Sequence, residues 1–181
     1  MFSDKNRHFP EKVNISEAAA RCQNIINGDT LYIRIRENGI NYGPFLQPVE
    51  HIKYTDNQAV VYFNKNITEV NDPVTADIQY VDALFQSLYV FRDKIGFKPG
   101  ETLLPYKMKH IVWNTNAGRP SYAFIRKSNT TVSEEQIAYD LFILDEKDKV
   151  ILEIHEFTLM RINRKTSLLS SSGLMGEISL M

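Results

Sequence analysis

The segment between residues 78 and 94 most constrains the fold that this chain can adopt. Its apolar residues recur at the spacing of a helix, whereas the sequences on either side have the patterns of strands. Val81, Leu84, Phe85 and Leu88 recur at positions i, i+3, i+4 and i+7, the stripe of a helix that buries one face. We expect one long helix over about Ile78–Lys94. Such a stripe needs another layer of structure to cover it.

Strand patterns supply that layer. Short runs rich in β-branched and aromatic residues, separated by polar turns, are typical of strands. They read VEHIKY (49–54), AVVYFNKN (59–66), YKMKHIVW (106–113), SYAFIRK (121–127), AYDLFILD (138–145) and VILEIHEFTLMRI (150–162). These strands and the helix predict an α+β arrangement, in which one curved antiparallel sheet faces one long apolar helix.

The ends of the chain lack this periodicity. Residues 1–13 are interpreted as an arm or linker, 14–163 as a single domain, and 164–181 as a tail or linker. Asn14, followed by Glu17, is typical of a helix N-cap, and we expect that helix to close at Gly28. The next run, TLYIRIREN, fits a helix capped by Asp29, but it also alternates like a strand.

Composition excludes several classes of protein. Lys and Arg total 21 against 22 Asp and Glu, so the chain lacks the concentrated positive charge of a nucleic-acid or membrane-surface binder. No apolar run is long enough to span a membrane. The single cysteine, Cys22, excludes an internal disulfide, and the first residues lack a signal-peptide pattern. We expect a soluble, cytoplasmic protein.

Few side chains carry a recognisable chemistry. The sequence has no phosphate loop, no nucleophile elbow and no metal-ligand spacing, and its four histidines are scattered. Asp82 and Gln86, four residues apart, share one face of the long helix. Asp82 also fits a purely structural role at a helix N-terminus, and Gln86 fits a hydrogen bond to a neighbouring backbone. Tyr42-Gly43-Pro44 alone indicates a turn.

In their order along the chain, these segments resemble polyketide synthase dehydratases. Tyr42-Gly43-Pro44-Phe45-Leu46-Gln47 resembles the family's YGPxFQ motif, with the aromatic residue displaced by one position. About 35 residues later, Asp77–Gln86 corresponds to an HPxxLDxxxQ element. The strand LLPYKMKHIVW and the hairpin DEKDKVILEIHEFTLMRI follow as in the family, so that the resemblance covers roughly residues 15–163.

The resemblance implies a fold and a reaction. These enzymes have a double hotdog fold, in which each half is a curved sheet around a central helix, and this chain resembles the second, C-terminal half. The reaction removes water from a β-hydroxyacyl chain on the phosphopantetheine of an acyl carrier protein, without a further cofactor or a metal. By position, Asp82 is the acid and Gln86 its companion, while Tyr42, Gly43 and Pro44 line the acyl channel. Tyr80 and Phe85 are predicted to line the apolar pocket beside the acid.

One family motif is missing. The catalytic histidine lies in an HxxxGxxxxP motif on the first hotdog, no histidine here fits it, and Asp77-Ile78 replaces the His-Pro pair. We expect half of a catalytic site, completed by a second hotdog on the same or another chain through homo- or hetero-association. The alternatives are a single-hotdog dimer acting as an isomerase or cyclase, and a non-catalytic hotdog that binds an acyl chain or carrier protein.

Overall fold

A computed structural model describes residues 12–64, 73–96, 101–114 and 117–163 of the chain. The predicted tail 164–181 and most of the predicted arm lie outside these residues. In chain order the elements are α1 (Ile15–Ala20), β1 (Asn24–Asn27), α2 (Gly28–Glu37), a 3₁₀ turn (Pro44–Leu46), β2 (Val49–Tyr54), β3 (Gln58–Phe63), α3 (Pro73–Ser87, continued as a 3₁₀ helix over Leu88–Lys94), β4 (Glu101–Lys107), β5 (His110–Trp113), β6 (Tyr122–Lys127), β7 (Gln136–Leu144) and β8 (Val150–Asn163).

All eight described strands form one antiparallel sheet in the order β1-β2-β3-β6-β7-β8-β4. Strand β5 also pairs with β8, with His110 opposite His155, so β4 and β5 are successive segments of one outer edge. They are interrupted opposite Glu156, which has a φ of 51°. The sequence predicted one strand over residues 106–113, whereas the edge begins at Glu101 and is interrupted at residues 108–109.

Helix α3 fills the concave face of the sheet. Tyr80, Ala83, Leu84 and Phe91 are buried in a cluster with the inner residues of strands β2, β3, β6, β7 and β8. Leu88 is buried as well, so the apolar stripe seen in the sequence is the face that meets the sheet. The α+β arrangement predicted from the strand and helix patterns is therefore present.

The opposite face of the sheet carries a smaller layer. Helix α1 covers it with a cluster drawn from α1 and from strands β3, β6, β7 and β8: Val13, Ile15, Ala18, Ala19, Val60, Phe124, Phe142, Leu144 and Val150. The predicted N-cap is confirmed, because Asn14 Oδ1 accepts from the backbone N–H of Glu17 at 3.0 Å. Helix α1 thus covers one face of the sheet, while α3, together with the buried residues of α2, covers the other.

The prediction for residues 20–38 was wrong in its boundaries. Helix α1 ends at Ala20, and Asn24–Asn27 pairs with β2 as an edge strand. Gly28 begins α2 instead of closing α1, and Asn27, not Asp29, is the N-cap. The reason is tertiary: a Cβ at Gly28 would lie 2.0 Å from the carbonyl oxygen of Val49, so this glycine is required for close packing on β2.

Candidate functional site

A tight turn after α2 forms the first part of the candidate site. Pro44 starts a 3₁₀ turn, in which the N–H of Leu46 donates to the carbonyl of Gly43 at 2.9 Å. The side chain of Gln47 braces the same segment by donating from Nε2 to the carbonyl of Tyr42 at 2.7 Å. The predicted Tyr42-Gly43-Pro44 turn is therefore an ordered structure with its own internal hydrogen bonds.

One face of α3 carries polar side chains toward this turn. Gln79, Asp82 and Gln86 are spaced i, i+3 and i+7 and so lie in one row on the helix. Gln79 Nε2 donates to the carbonyl of Phe45, and Gln86 Nε2 donates to the carbonyl of Leu46 at 3.0 Å. Sequence reasoning missed Gln79, although its spacing from Asp82 was visible; the turn that gives it a partner lies 34 residues away.

Asp82 and Gln86 are brought together as their spacing predicts. Gln86 Nε2 donates to Asp82 Oδ2 at 2.6 Å. A backbone carbonyl can only accept a hydrogen bond, so the bond to Leu46 fixes which end of the carboxamide faces the carboxylate. Asp82 Oδ2 is therefore an acceptor in this arrangement. The other amide atom, Gln86 Oε1, is buried and has no hydrogen-bond partner among the described residues.

Two tyrosines stand close to this carboxylate. Burial raises the pKa of Tyr42, and the charge of Asp82 raises it further. Burial also raises the pKa of Tyr32, against the hydrogen bond that its hydroxyl accepts from Val49, with Asp82 and Tyr42 adding to the rise. The two rings meet edge to face with centroids 6.5 Å apart. Tyr32 was not singled out from the sequence, where its segment was ambiguous between helix and strand.

Tyr80 and Phe85 occupy different surroundings from the turn. Tyr80 is 4% exposed and packs edge-on against Phe63, with ring centroids 5.0 Å apart. Phe85 stacks on Phe157 of β8 at 4.9 Å. Tyr80 also borders a cleft of about 510 Å³ that Arg119, Asp145 and neighbouring residues line, and Asp82 does not line it.

The three described histidines lie on the other side of the sheet from α3. His51 stacks on Tyr62, which packs against the cluster beneath α1. His155 contacts Phe142 of the same cluster, and His110 pairs opposite it. His155 Nε2 lies 2.9 Å from Glu153 Oε2, beside a cleft of about 520 Å³ lined by Arg126 and Asp140 among others. None of these three imidazoles faces Asp82, and His8 lies outside the described residues.

The described residues hold neither a metal-binding cluster nor a membrane-spanning helix. No group of three or more His, Cys, Asp or Glu side chains in ranges 12–64, 73–96, 101–114 and 117–163 is arranged to hold a metal ion. Within the same ranges no helix has the length and apolar character needed to cross a membrane.

A curved antiparallel sheet wrapped around one central helix defines the hotdog class of fold, and comparison with solved structures confirms it. A trans-AT polyketide synthase dehydratase domain from Brevibacillus brevis superposes with a TM-score of 0.68 at 18% identity, over 84% of this chain and 54% of that one. An inactive CurJ dehydratase mutant, with phenylalanine in place of a histidine, gives 0.70 at 18% identity over 86% and 55%. An inactive CurK dehydratase mutant, with asparagine in place of an aspartate, gives 0.64 at 15% identity over 86% and 54%.

The family follows from a sequence comparison. The model described as "Polyketide synthase dehydratase N-terminal domain" matches residues 10–168. The chain belongs to the polyketide synthase dehydratase family. No curated protein matches it.

The match leaves one difference to resolve. The chain spans little more than half the length of these three solved structures. The family description names the N-terminal domain, whereas the motif order in this sequence predicts the second half. The comparison therefore confirms the dehydratase family, and it does not confirm the predicted second half.

Proposed function

We propose that this chain is the aspartate-bearing, C-terminal hotdog half of a polyketide synthase dehydratase. The observation that carries the proposal is the pair Asp82 and Gln86, held against the Tyr42-Gly43-Pro44 turn by the bond from Gln86 to Leu46. Acid side chain, companion amide and turn occur in the order of the family's second-half motifs. The described histidines, all on the opposite face of the sheet, argue against the histidine-bearing half.

The proposed reaction removes water from a β-hydroxyacyl thioester. A hydroxide is a poor leaving group near neutral pH, so the β-hydroxyl needs a positioned proton donor. Because Asp82 Oδ2 accepts from Gln86, the transferable proton belongs on Oδ1. As Oδ1 gives this proton to the β-oxygen, the C–O bond breaks and water leaves. A base removes the α-proton, and the electrons of that C–H bond form the α,β double bond.

This chain supplies the acid but not the base in our proposal. A histidine from a second hotdog removes the α-proton, and the acyl chain is carried on the phosphopantetheine of an acyl carrier protein. Two of the similar structures are inactive mutants, one altered at a histidine and the other at an aspartate. Those two mutants are in accord with a dehydratase reaction that needs both a histidine and an aspartate. No metal or other cofactor enters the mechanism, and we propose a cytoplasmic location.

The outer sheet edge offers a surface for the second hotdog. Along β4, β5 and the link between them, five large apolar side chains are exposed, by 40 to 58%: Leu104, Tyr106, Met108, Ile111 and Trp113. An unpaired edge presents a row of backbone donors and acceptors to another strand. A second hotdog would cover both the apolar side chains and these backbone groups.

A second candidate function follows from the position of Asp82. Neither of the clefts of about 510 and 520 Å³ includes this residue among its lining. That observation favours a non-catalytic hotdog that binds an acyl chain or carrier protein. The two functions differ in whether the Asp82 carboxyl must transfer a proton, and a single substitution separates them.

The test uses a β-hydroxyacyl pantetheine thioester and the histidine-bearing hotdog of a related dehydratase, supplied as a separate chain. The chain alone should not release the α,β-unsaturated product, and the mixture should. Asp82→Asn, which keeps the shape but donates no acidic proton, should lower the rate about 10²- to 10⁴-fold. Asp29→Asn, an exposed carboxylate at the start of α2, is the matched control.

Three outcomes would contradict parts of the proposal. Full turnover by the chain alone would refute the half-site. Unchanged turnover of the mixture with Asp82→Asn would remove Asp82 as the acid. Thioester binding with no turnover in any mixture would favour the non-catalytic function.

A further inference from the structure

Two buried glutamines of α3 donate to two consecutive backbone carbonyls of one turn. Gln79 and Gln86 are 2% and 5% exposed and lie seven residues apart, which places their Cα atoms about 10.5 Å apart along the helix. Their acceptors, the carbonyls of Phe45 and Leu46, are consecutive in the chain. The two side chains therefore approach the turn from opposite directions, and Asp82 lies between them, one helical turn from each.

These carbonyls are the ones that the turn itself cannot satisfy. Within the 3₁₀ turn, the carbonyls of Gly43 and Pro44 accept from Leu46 and Gln47. The last carbonyls of any helix lack partners within it, and here those are the carbonyls of Phe45 and Leu46. The glutamines of α3 thus cap the C-terminal end of the turn from another element.

We propose that Gln79 is a positioning residue that, with Gln86, holds residues 42–46 at a fixed distance from Asp82. This distance sets the width of the acyl channel beside the acid. This inference rests on the proposed dehydratase function. Gln86 alone would leave the turn free to pivot, because a single hydrogen bond fixes one point. With Gln79 added, the ring of Phe45, which is 37% exposed, has a defined position. The group it would contact is the apolar part of the acyl chain beyond the β-carbon.

The first test concerns the turn and needs no catalysis. Gln79→Met keeps the length of the side chain and removes its donor; Gln23→Met, at an exposed glutamine, is the control. Since an intramolecular hydrogen bond contributes about 0.5–1.5 kcal/mol, the amides of Leu46 and Gln47 should exchange roughly 2- to 12-fold faster in Gln79→Met. The pKa of Tyr42 should also fall toward its ordinary value, because the turn opens to solvent. The titration that is missing from the spectrum of Tyr42→Phe is the one that belongs to Tyr42.

The second test concerns the channel and uses the mixture with the histidine-bearing hotdog. Gln79→Met should raise KM for long acyl thioesters about 3- to 10-fold and change kcat less, because the acid itself is intact. The preference between long and short acyl chains should shrink. A residue that merely stabilises the fold would lower the stability of the chain without changing that preference.

The outcomes separate this inference from the dehydratase proposal. Faster amide exchange at Leu46 in Gln79→Met, in a chain that never supports dehydration, would support the glutamine clamp (the hydrogen bonds from Gln79 and Gln86 to the turn). The same result would reject the proposed dehydratase function. Unchanged exchange and an unchanged Tyr42 titration in folded Gln79→Met would overturn the clamp, whatever the activity. If Gln79→Met does not fold, Gln79→Glu replaces it. Glu at this position cannot donate when ionised and can donate when protonated. The exchange rate of the Leu46 amide, relative to that of an unstructured amide at the same pH, should therefore fall again in acid.

Discussion

Asp145, at the end of β7, shows how one side chain can organise a loop. Its Oδ1 accepts from the N–H groups of Lys147 and Lys149, each at 2.9 Å, and its Oδ2 accepts from Gly118 at 3.0 Å. Burial alone would raise the pKa of this carboxyl. The three backbone donors, with the charge of Lys149, outweigh burial and hold the pKa below its ordinary value of 3.8.

A pH dependence of stability follows. Because the pKa of Asp145 is lower in the folded than in the unfolded chain, its contribution is present above the unfolded value and is lost as pH falls through the folded value. Asp145→Asn should destabilise the chain by about 1–3 kcal/mol near pH 7. The difference from the wild type should shrink below about pH 4, as 3.8 is the ordinary pKa. Urea unfolding at several pH values measures it.

Glu146→Gln is the control, since Glu146 is an exposed carboxylate in the same loop. A difference between wild type and Asp145→Asn that stays constant from pH 7 to pH 3 would contradict the assignment.

For single residues, the sequence identified side chains whose hydrogen-bond partners are close along the chain. It missed side chains whose partners are far away along the chain. Asp82 and Gln86 were predicted because four residues on a helix are neighbours. Gln79 and Tyr32 have partners 34 and 17 residues away. No local pattern specifies which carbonyl or amide will stand opposite such a side chain after folding.

Among the elements, α2 depends on the absence of one side chain. Gly28 starts this helix against β2, and an added Cβ would meet backbone atoms of Val49 at 2.0 and 3.1 Å. Backbone cannot move aside as the end of a flexible side chain can, so α2 or β2 would have to shift. This explains why a helix begins here, directly after a strand, without a loop.

Gly28→Ala should therefore lower the free energy of unfolding by about 1–3 kcal/mol, the usual cost of overpacking. Gly43→Ala should change it by less than about 0.5 kcal/mol, because nothing lies within 4 Å of a Cβ built at Gly43. Thermal or urea denaturation of both variants compares them directly. Equal stability of the two alanine variants would show that the α2–β2 contact is looser than described.

The sequence predicted the elements with strong patterns and failed where packing decides. The stripe on α3 and the alternation in β2, β3, β6, β7 and β8 are regular, and those elements are present. Residues 24–27 were assigned to a helix because alanines precede them. Pairing with β2, which lies later in the chain, overrides that local preference. Gly28 was taken for a helix end, a common use of glycine, since close approach to another strand leaves no trace in the local sequence.

For the whole molecule, the exposed edge formed by β4 and β5 predicts association. Two copies of the chain, or this chain and another hotdog, could join at that edge. Ile111→Lys places a charge among the exposed apolar side chains and should weaken self-association about 10- to 100-fold, since burying one such side chain contributes about 1.5–3 kcal/mol. Sedimentation equilibrium over a range of concentrations measures the change.

Ile25→Lys is the matched control, because Ile25 is 66% exposed on β1 at the opposite edge of the sheet. If both variants lost association equally, the contact between copies would not lie specifically at the edge formed by β4 and β5. A wild-type chain that stays monomeric at every concentration would leave only a different hotdog as the partner of this edge.

The order of the strands has a consequence for the chain while it is being made. Strand β8 is the neighbour of both β4 and β5, yet it is synthesised after β6 and β7. At typical rates of about 5–20 residues per second, the 50 residues from 114 to 163 take roughly 3–10 seconds to translate. Until then the apolar residues of β4 and β5 lack a neighbour on either side. The speed of translation through these residues therefore sets how long the nascent chain is open to misassociation.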